Sequence, residues 1–173
     1  MNKSNFNFDN IKSVFEFGGG YDSFARIFLK LKEDIRYTIF DLQCFSALQE
    51  YYLKSIFNDL TVFHTENENK NGVVLFSDTN KIDFQRKYDL FIALWSLSET
   101  PLSFRSDFIK IMRNSNYFIV ALQGEFYGID NEVYFKTIKD DLKEFEIKFY
   151  PINHMNVNYK KGNYYFIGSK KTT

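Results

Sequence analysis

Cysteine is nearly absent. The single residue, Cys44, leaves no partner for an internal disulfide and too few thiolates for a cysteine-based zinc site. Histidine is scarce as well: His64 and His154 are the only two, and no cluster of His, Asp and Glu has metal-ligand spacing, so no metal is expected. Proline occurs only at Pro101 and Pro151, and no Gly/Ser-rich linker, repeat or low-complexity block interrupts the chain. Nothing marks a domain boundary, and residues 1–173 are expected to form one domain. Charge of one sign is not in excess: 22 Lys and Arg balance 22 Asp and Glu. A general nucleic-acid binder carries a basic surplus, so nucleic acid is not expected as a partner. No apolar run approaches the ~20 residues of a membrane span, and the first ten residues contain no signal-peptide core. The expected protein is cytoplasmic and has no membrane span.

What the chain has in quantity is aromatic side chains, with 21 Phe and 12 Tyr against one Trp. Stacking platforms for bases or sugars are one reading, but such platforms accompany a basic groove. This charge balance supplies none, so the aromatics are assigned to a composition also rich in Lys, Asn and Ile. A chain of this length buries roughly 70% of its unfolded surface and needs neither disulfide nor metal to fold.

Short apolar runs alternate with helical patterns. The runs are 13–17 (SVFEF), 37–40 (YTIF), 73–76 (VVLF), 89–94 (DLFIAL), 117–122 (YFIVAL), 147–150 (IKFY) and 164–167 (YYFI). Phe24, Ile27, Phe28 and Leu31 fall at helical spacing after the first run, and Phe45, Leu48, Tyr52 and Ile56 after the second. Thr100 followed by Pro101 signals a helix start with Phe104, Phe108 and Ile111 inside. Residues 131–145 read as a charged amphipathic helix, and 65–72 (TENENKNG) as a surface loop. Alternating strands and helices predict an α/β fold with a mostly parallel sheet covered on both faces. No helix separates the last two of the seven predicted strands, so the last is expected to run antiparallel.

The first strand runs straight into Gly18-Gly19-Gly20 and then a helix. Glycines there let the backbone turn sharply and approach a ligand, and ligands of parallel sheets sit beyond the strand ends. A dinucleotide site wants Gly-x-Gly-x-x-Gly, which Ser23 matches only in part. S-adenosylmethionine wants an acid at the strand end before Gly-x-Gly, which Glu16 followed by Gly18, Gly19 and Gly20 matches well. A plain turn is the remaining alternative. Asp41 ends the second strand, where a carboxylate can accept from ribose hydroxyls or cap the next helix. Asp78 ends the third and could accept from an adenine amino group, or be an ordinary loop residue.

Three segments resemble the class I S-adenosylmethionine-dependent methyltransferases, and more narrowly the bacterial sugar O-methyltransferases. They are Val14-Phe15-Glu16-Phe17-Gly18-Gly19-Gly20-Tyr21; Tyr37-Thr38-Ile39-Phe40-Asp41-Leu42 with Leu48-Gln49-Glu50-Tyr51-Tyr52-Leu53; and Trp95-Ser96-Leu97-Ser98-Glu99. The resemblance implies a three-layer Rossmann-like sheet of seven strands with the last antiparallel. It implies S-adenosylmethionine as cofactor, held by Glu16, Gly18, Gly19, Gly20, Tyr21, Asp41 and Leu42; the adenine is expected between the third and fourth strand ends, near Asp78, Thr79 and Leu94. It implies methylation of a sugar hydroxyl in bacterial glycan biosynthesis. Gln43 stands where the family has proline after Asp-Leu, and Asp22 where a third glycine often sits. The first strand begins early, so the family's N-terminal segment that covers the substrate is expected to be missing.

A sugar hydroxyl is a weak acid, so methyl transfer calls for a base. Glu99 and His154 are the candidates, with Trp95 and Ser98 beside the acceptor. Glu99 could instead favour a helix N-terminus, Trp95 could be a core residue, His154 could be an ordinary loop residue, and His64 reads as solvated. Two alternatives remain open: a non-catalytic or partner-dependent methyltransferase-like subunit, and a nicotinamide-dependent oxidoreductase. A homo-oligomer or a partner subunit is compatible with either enzyme reading.

Overall fold

The apolar runs become strands because their alternate residues can be buried on both faces of one sheet. The computed structural model describes residues 6–65, 71–153 and 162–171. The strands are β1 (Ser13–Phe17), β2 (Arg36–Phe40), β3 (Val62–Phe63), β4 (Gly72–Phe76), β5 (Leu90–Leu94), β6 (Tyr117–Gln123), β7 (Glu125–Phe126), β8 (Ile129–Asp130), β9 (Phe145–Pro151) and β10 (Asn163–Lys170). The helices are α1 (Ser23–Leu31), α2 (Gln43–Ile56), α3 (Leu102–Asn114) and α4 (Asn131–Asp141). Eight strands form the main sheet in the order β3-β4-β2-β1-β5-β6-β10-β9, and β7 with β8 makes a separate hairpin. β1 pairs in parallel with β2 and β5, while β10 runs antiparallel between β6 and β9.

The sheet thus has eight strands where seven are predicted. All seven predicted runs are present, and β10 has the expected antiparallel direction. The extra one, β3, has two residues on the edge beside Val73 and Val74, too short to leave a periodic signal. Two boundaries and one helix face also differ. Pro101, not Thr100, occupies the N-cap of α3, since the Thr100 hydroxyl turns back to the Leu97 carbonyl at 2.9 Å. The last helix ends at Asp141, and Phe145 begins β9 instead. Ile27 and Leu31 are exposed, so α1 buries Ala25 and Phe28.

The two faces have different cores. On one, Val14, Ile39, Leu75 and Ile92 pack against Ala25 and Phe28 of α1 and Leu53 of α2. On the other, Phe15, Phe17, Phe40 and Phe118 pack against Phe108 of α3 and Phe135 of α4. Phe108 lies edge-on to Phe17 at 4.5 Å and tilted on Phe40 at 4.8 Å between centroids, so the abundant phenylalanines are core material. Among the described residues, no helix is long and apolar enough to cross a membrane.

From β1 the chain goes outward through β2 to β4, then crosses back to β5 on the other side of β1. The carboxyl ends of β1 and β5 therefore flank the point where strand order reverses, the place where open α/β sheets bind ligands.

Candidate active site

At the end of β1 the Gly18 N–H still donates to the Phe40 carbonyl at 2.8 Å, continuing the β1–β2 ladder for one more residue. The chain then leaves the sheet with Gly18 at φ +73°. A Cβ on Gly18 would lie 2.3 Å from the Ser96 Cβ, and the Ser96 hydroxyl bonds the Phe17 carbonyl. Gly20, at φ +56°, has open space where its Cβ would be. The turn is packed tightly on its β5 side and open at Gly20.

Asp41 ties this turn to β2. Its Oδ2 accepts from the Gly20 N–H and from Gln49 Nε2, both at 2.9 Å, and its Oδ1 accepts from the Leu42 N–H at 2.8 Å. Gln49, buried on α2, also donates to the Gly20 carbonyl at 3.1 Å. A carboxylate offers about four acceptor positions. Three are used, leaving one on Oδ1 for a ligand hydroxyl, so full two-oxygen acceptance would displace a present partner.

Two further acids lie behind the turn. Glu16 is buried and its Oε2 accepts from the Tyr37 hydroxyl at 2.7 Å. Burial pushes its pKa up to about 7, against the lowering effect of the Tyr37 bond and with a further push from Asp41. Asp22, at φ 58°, is fully buried, and neither carboxylate oxygen has a hydrogen-bond partner. Burial, then the charges of Glu16 and Asp41, raise its pKa to about 8.

Around the turn, Tyr21 (68% exposed) and Leu42 (66% exposed) stand open to solvent, and Leu94 and Thr79 are half-buried. Asp78 is exposed and caps the turn Thr79–Lys81, accepting from the Asn80 N–H at 3.0 Å. Asp78 thus already has a local structural role.

Beyond β5, Trp95 adopts φ 73°, ψ −48°, a conformation that costs a non-glycine residue about 1–3 kcal/mol. Its N–H donates to the Ala121 carbonyl at 2.8 Å, and its carbonyl accepts from the Ser98 N–H at 2.9 Å. Ser98 is fully buried, and its hydroxyl reaches the Trp95 carbonyl and Gln123 Oε1. It supports the site from inside. Gln123 Nε2 in turn donates to Glu99 Oε1 at 2.6 Å, fixing an otherwise exposed carboxylate.

Beneath this turn lies Arg105, fully buried on α3. It donates to the carbonyls of Thr100 (2.8 Å) and Ser98 (2.7 Å) and to Asn131 Oδ1 (2.6 Å), and its guanidinium sits 5.3 Å from the Tyr134 ring centroid. Burial lowers its pKa. A buried cation held by neutral acceptors fixes the shape of the Ser98–Thr100 backbone.

The structure brings Glu16, Gly18, Gly19, Gly20 and Asp41 together at the carboxyl ends of β1 and β2, with Trp95 and Glu99 following the neighbouring strand β5. His154 lies outside the described residues. His64 is exposed and pairs with Glu50 at 3.1 Å, away from both groups. Sequence reasoning missed Gln49, Gln123 and Arg105. Each had a signal: Gln49 and Arg105 are polar residues on the apolar faces of their helices, and Gln123 ends an apolar strand. Among the described residues, no group of three or more His, Cys, Asp and Glu is arranged to hold a metal.

No protein-family model and no curated protein matches the sequence, but solved structures match the fold. The methyltransferase domain of bacterial CtHen1 superposes over 95% of this chain and 92% of its own, with TM-score 0.64 and 13% identity. The fold is that of the class I methyltransferases. The StiE O-MT (TM-score 0.66, 12% identity, 98% of this chain, 71% of that one) has the same methyltransferase fold. So does the mitomycin 7-O-methyltransferase MmcR (TM-score 0.59, 11% identity, 96% of this chain and 51% of that one).

Proposed function

We propose that the protein is an S-adenosylmethionine-dependent methyltransferase that methylates a hydroxyl group, with a sugar as the acceptor class. The observation that carries this reading is the link between Gly20 and Asp41. It sets a carboxylate with a spare acceptor position beside an open glycine edge at the switch in strand order. These residues fit the cofactor: the Gly18–Gly20 backbone can lie against its amino-acid end, Asp41 Oδ1 can accept from its ribose, and Leu42, Thr79 and Leu94 can frame its adenine, with Asp78 at the rim.

S-adenosylmethionine, when bound, supplies an electrophilic methyl group. The chain positions the acceptor and takes up its proton. Trp95, half-buried just after β5, is the aromatic residue nearest the proposed acceptor side. Glu99 is the base of choice, because Gln123 holds one of its oxygens and leaves Oε2 to receive the hydroxyl proton; His154 is the alternative. Transfer to oxygen is supported by neighbours named O-methyltransferases, and the sugar by the Asp41-Leu42 and Tyr51-Tyr52-Leu53 segments.

The test is transfer of labelled methyl from S-adenosylmethionine to a panel of sugar nucleotides, oligosaccharides and RNA. Label in a saccharide that is lost in Glu99→Gln supports the proposal. Label in RNA alone overturns the sugar, and no label anywhere despite cofactor binding favours a non-catalytic subunit.

A further inference from the structure

Three acids from three elements converge at the glycine turn. Glu16 is on β1, Asp22 immediately precedes α1 and Asp41 follows β2. Asp22 is the one without a partner: it is fully buried, and both of its carboxylate oxygens lack a hydrogen bond. It lies against the underside of the turn, since a Cβ on Gly19 would be 2.6 Å from Asp22 Oδ1, 3.0 Å from Ile39 Cγ2 and 3.3 Å from Gln49 Nε2.

The groups facing it are negative or neutral. From β1 there is Glu16, from β2 Asp41 and the neutral Tyr37 hydroxyl, and from α2 the Gln49 amide. From α1, Arg26 meets Asp22 by its backbone N–H on the Asp22 carbonyl at 2.9 Å, and its guanidinium makes no hydrogen bond to the carboxylate. Neighbouring buried carboxylates without a cation do not both ionise near neutral pH. Glu16 and Asp22 are therefore expected to share a retained proton and to titrate as a unit.

We propose that Asp22 makes the glycine turn an ammonium-selective, proton-exchanging site: the buried acids hold a proton when no ligand is present and release it when a ligand's ammonium group settles over Gly18–Gly20. The inference rests on the cofactor reading above and adds a residue and a linkage to it. In the exchange the acid's O–H bond breaks and the proton goes to the buffer, while the ammonium keeps its own protons; nothing is oxidised or reduced. The ammonium supplies the cation that the cluster lacks. Ligands with the amino-acid arm then bind more tightly as pH rises, and ligands without it do not.

The experiment is calorimetric titration at pH 7 in phosphate and in Tris, whose heats of ionisation differ. S-adenosylhomocysteine carries the ammonium group and 5′-methylthioadenosine lacks the amino-acid arm. For wild type, S-adenosylhomocysteine is expected to release about 0.5–1 proton, and methylthioadenosine close to none. Asp22→Asn, which tolerates the left-handed backbone, is expected to bind S-adenosylhomocysteine with little proton release. Wild-type affinity for S-adenosylhomocysteine should also rise several-fold from pH 6 to pH 8. Equal enthalpies in the two buffers, or undiminished release in Asp22→Asn, overturn the inference while leaving the cofactor reading in place. Absence of any S-adenosylhomocysteine binding overturns both.

Discussion

The Cβ of Ser96 stands 2.3 Å from where a side chain on Gly18 would begin, and the Ser96 hydroxyl bonds the carbonyl of Phe17 next door. The loop after β5 is therefore built onto the turn after β1, and the proposed cofactor and acceptor sides of the site share one packing contact. Because the clash is with a Cβ, no rotamer change relieves it. Gly18→Val is expected to destabilise the fold by about 1–3 kcal/mol through the left-handed backbone alone, and more through the clash. S-adenosylhomocysteine affinity should fall at least ~10-fold, a change of about 1.4 kcal/mol. Denaturant unfolding and calorimetry on the same preparation check both; a variant with wild-type stability and affinity contradicts the packing argument.

The buried acids predict a pH dependence of opposite sign to that of a salt-bridged carboxylate. Glu16 is raised from 4.5 to about 7 and Asp22 from 3.8 to about 8. The folded protein then binds more protons than the unfolded chain between those limits, so this contribution is present at low pH and is lost as pH rises through about 7 to 8. Asp22→Asn, which cannot ionise, is expected to flatten the profile, so that its stability relative to wild type rises from pH 5 to pH 8. Unfolding midpoints from pH 5 to pH 8 measure this. A wild-type protein that gains stability across that range contradicts the arrangement.

Arg105 is expected to matter for stability more than any exposed ion pair. Arg105→Ala leaves the Thr100 carbonyl and Asn131 Oδ1 without their donor in the interior and the Ser98 carbonyl with only the Asn131 amide, a loss of about 3 kcal/mol. Arg105→Lys should recover little, since an ammonium cannot reproduce the planar fork. Denaturant titration decides it, with Lys54→Ala as the exposed comparison, expected within ~0.5 kcal/mol of wild type.

Much of this arrangement is legible in the sequence, for reasons particular to each element. Glu16 to Gly20 is readable because Gly18 combines φ +73° with a Cβ position 2.3 Å from the Ser96 Cβ, which admits little besides glycine. Asp41 is readable because it ends an apolar run. β3 is not, because two residues carry no period. Nor is the inward placement of Ser98, which depends on Arg105 and Gln123 arriving from α3 and β6. Asp22 in sequence is only a departure from a glycine pattern. Its burial without a partner comes from the helix start folding its side chain under Gly19, which no local pattern encodes.

Catalysis is proposed to depend on Glu99 and, through it, on Gln123. Glu99→Gln is expected to lower turnover by ~10²–10⁴-fold with S-adenosylhomocysteine affinity unchanged. Gln123→Leu frees the carboxylate without removing it, so a smaller loss in kcat than in Glu99→Gln is expected. Turnover within twofold of wild type in Glu99→Gln would assign the base elsewhere, with His154 next to be tested.

The central claim is that the turn and Asp41 together form an adenosine-type cofactor site, and its most direct test is calorimetric titration of S-adenosylhomocysteine into wild type and Asp41→Ala. The account predicts saturable one-to-one binding to wild type. It predicts a ~10–100-fold loss in the variant, about 1–3 kcal/mol for removing a charged hydrogen-bond acceptor. Folded wild-type protein that gives no binding heat, or an Asp41→Ala variant of undiminished affinity, would contradict it.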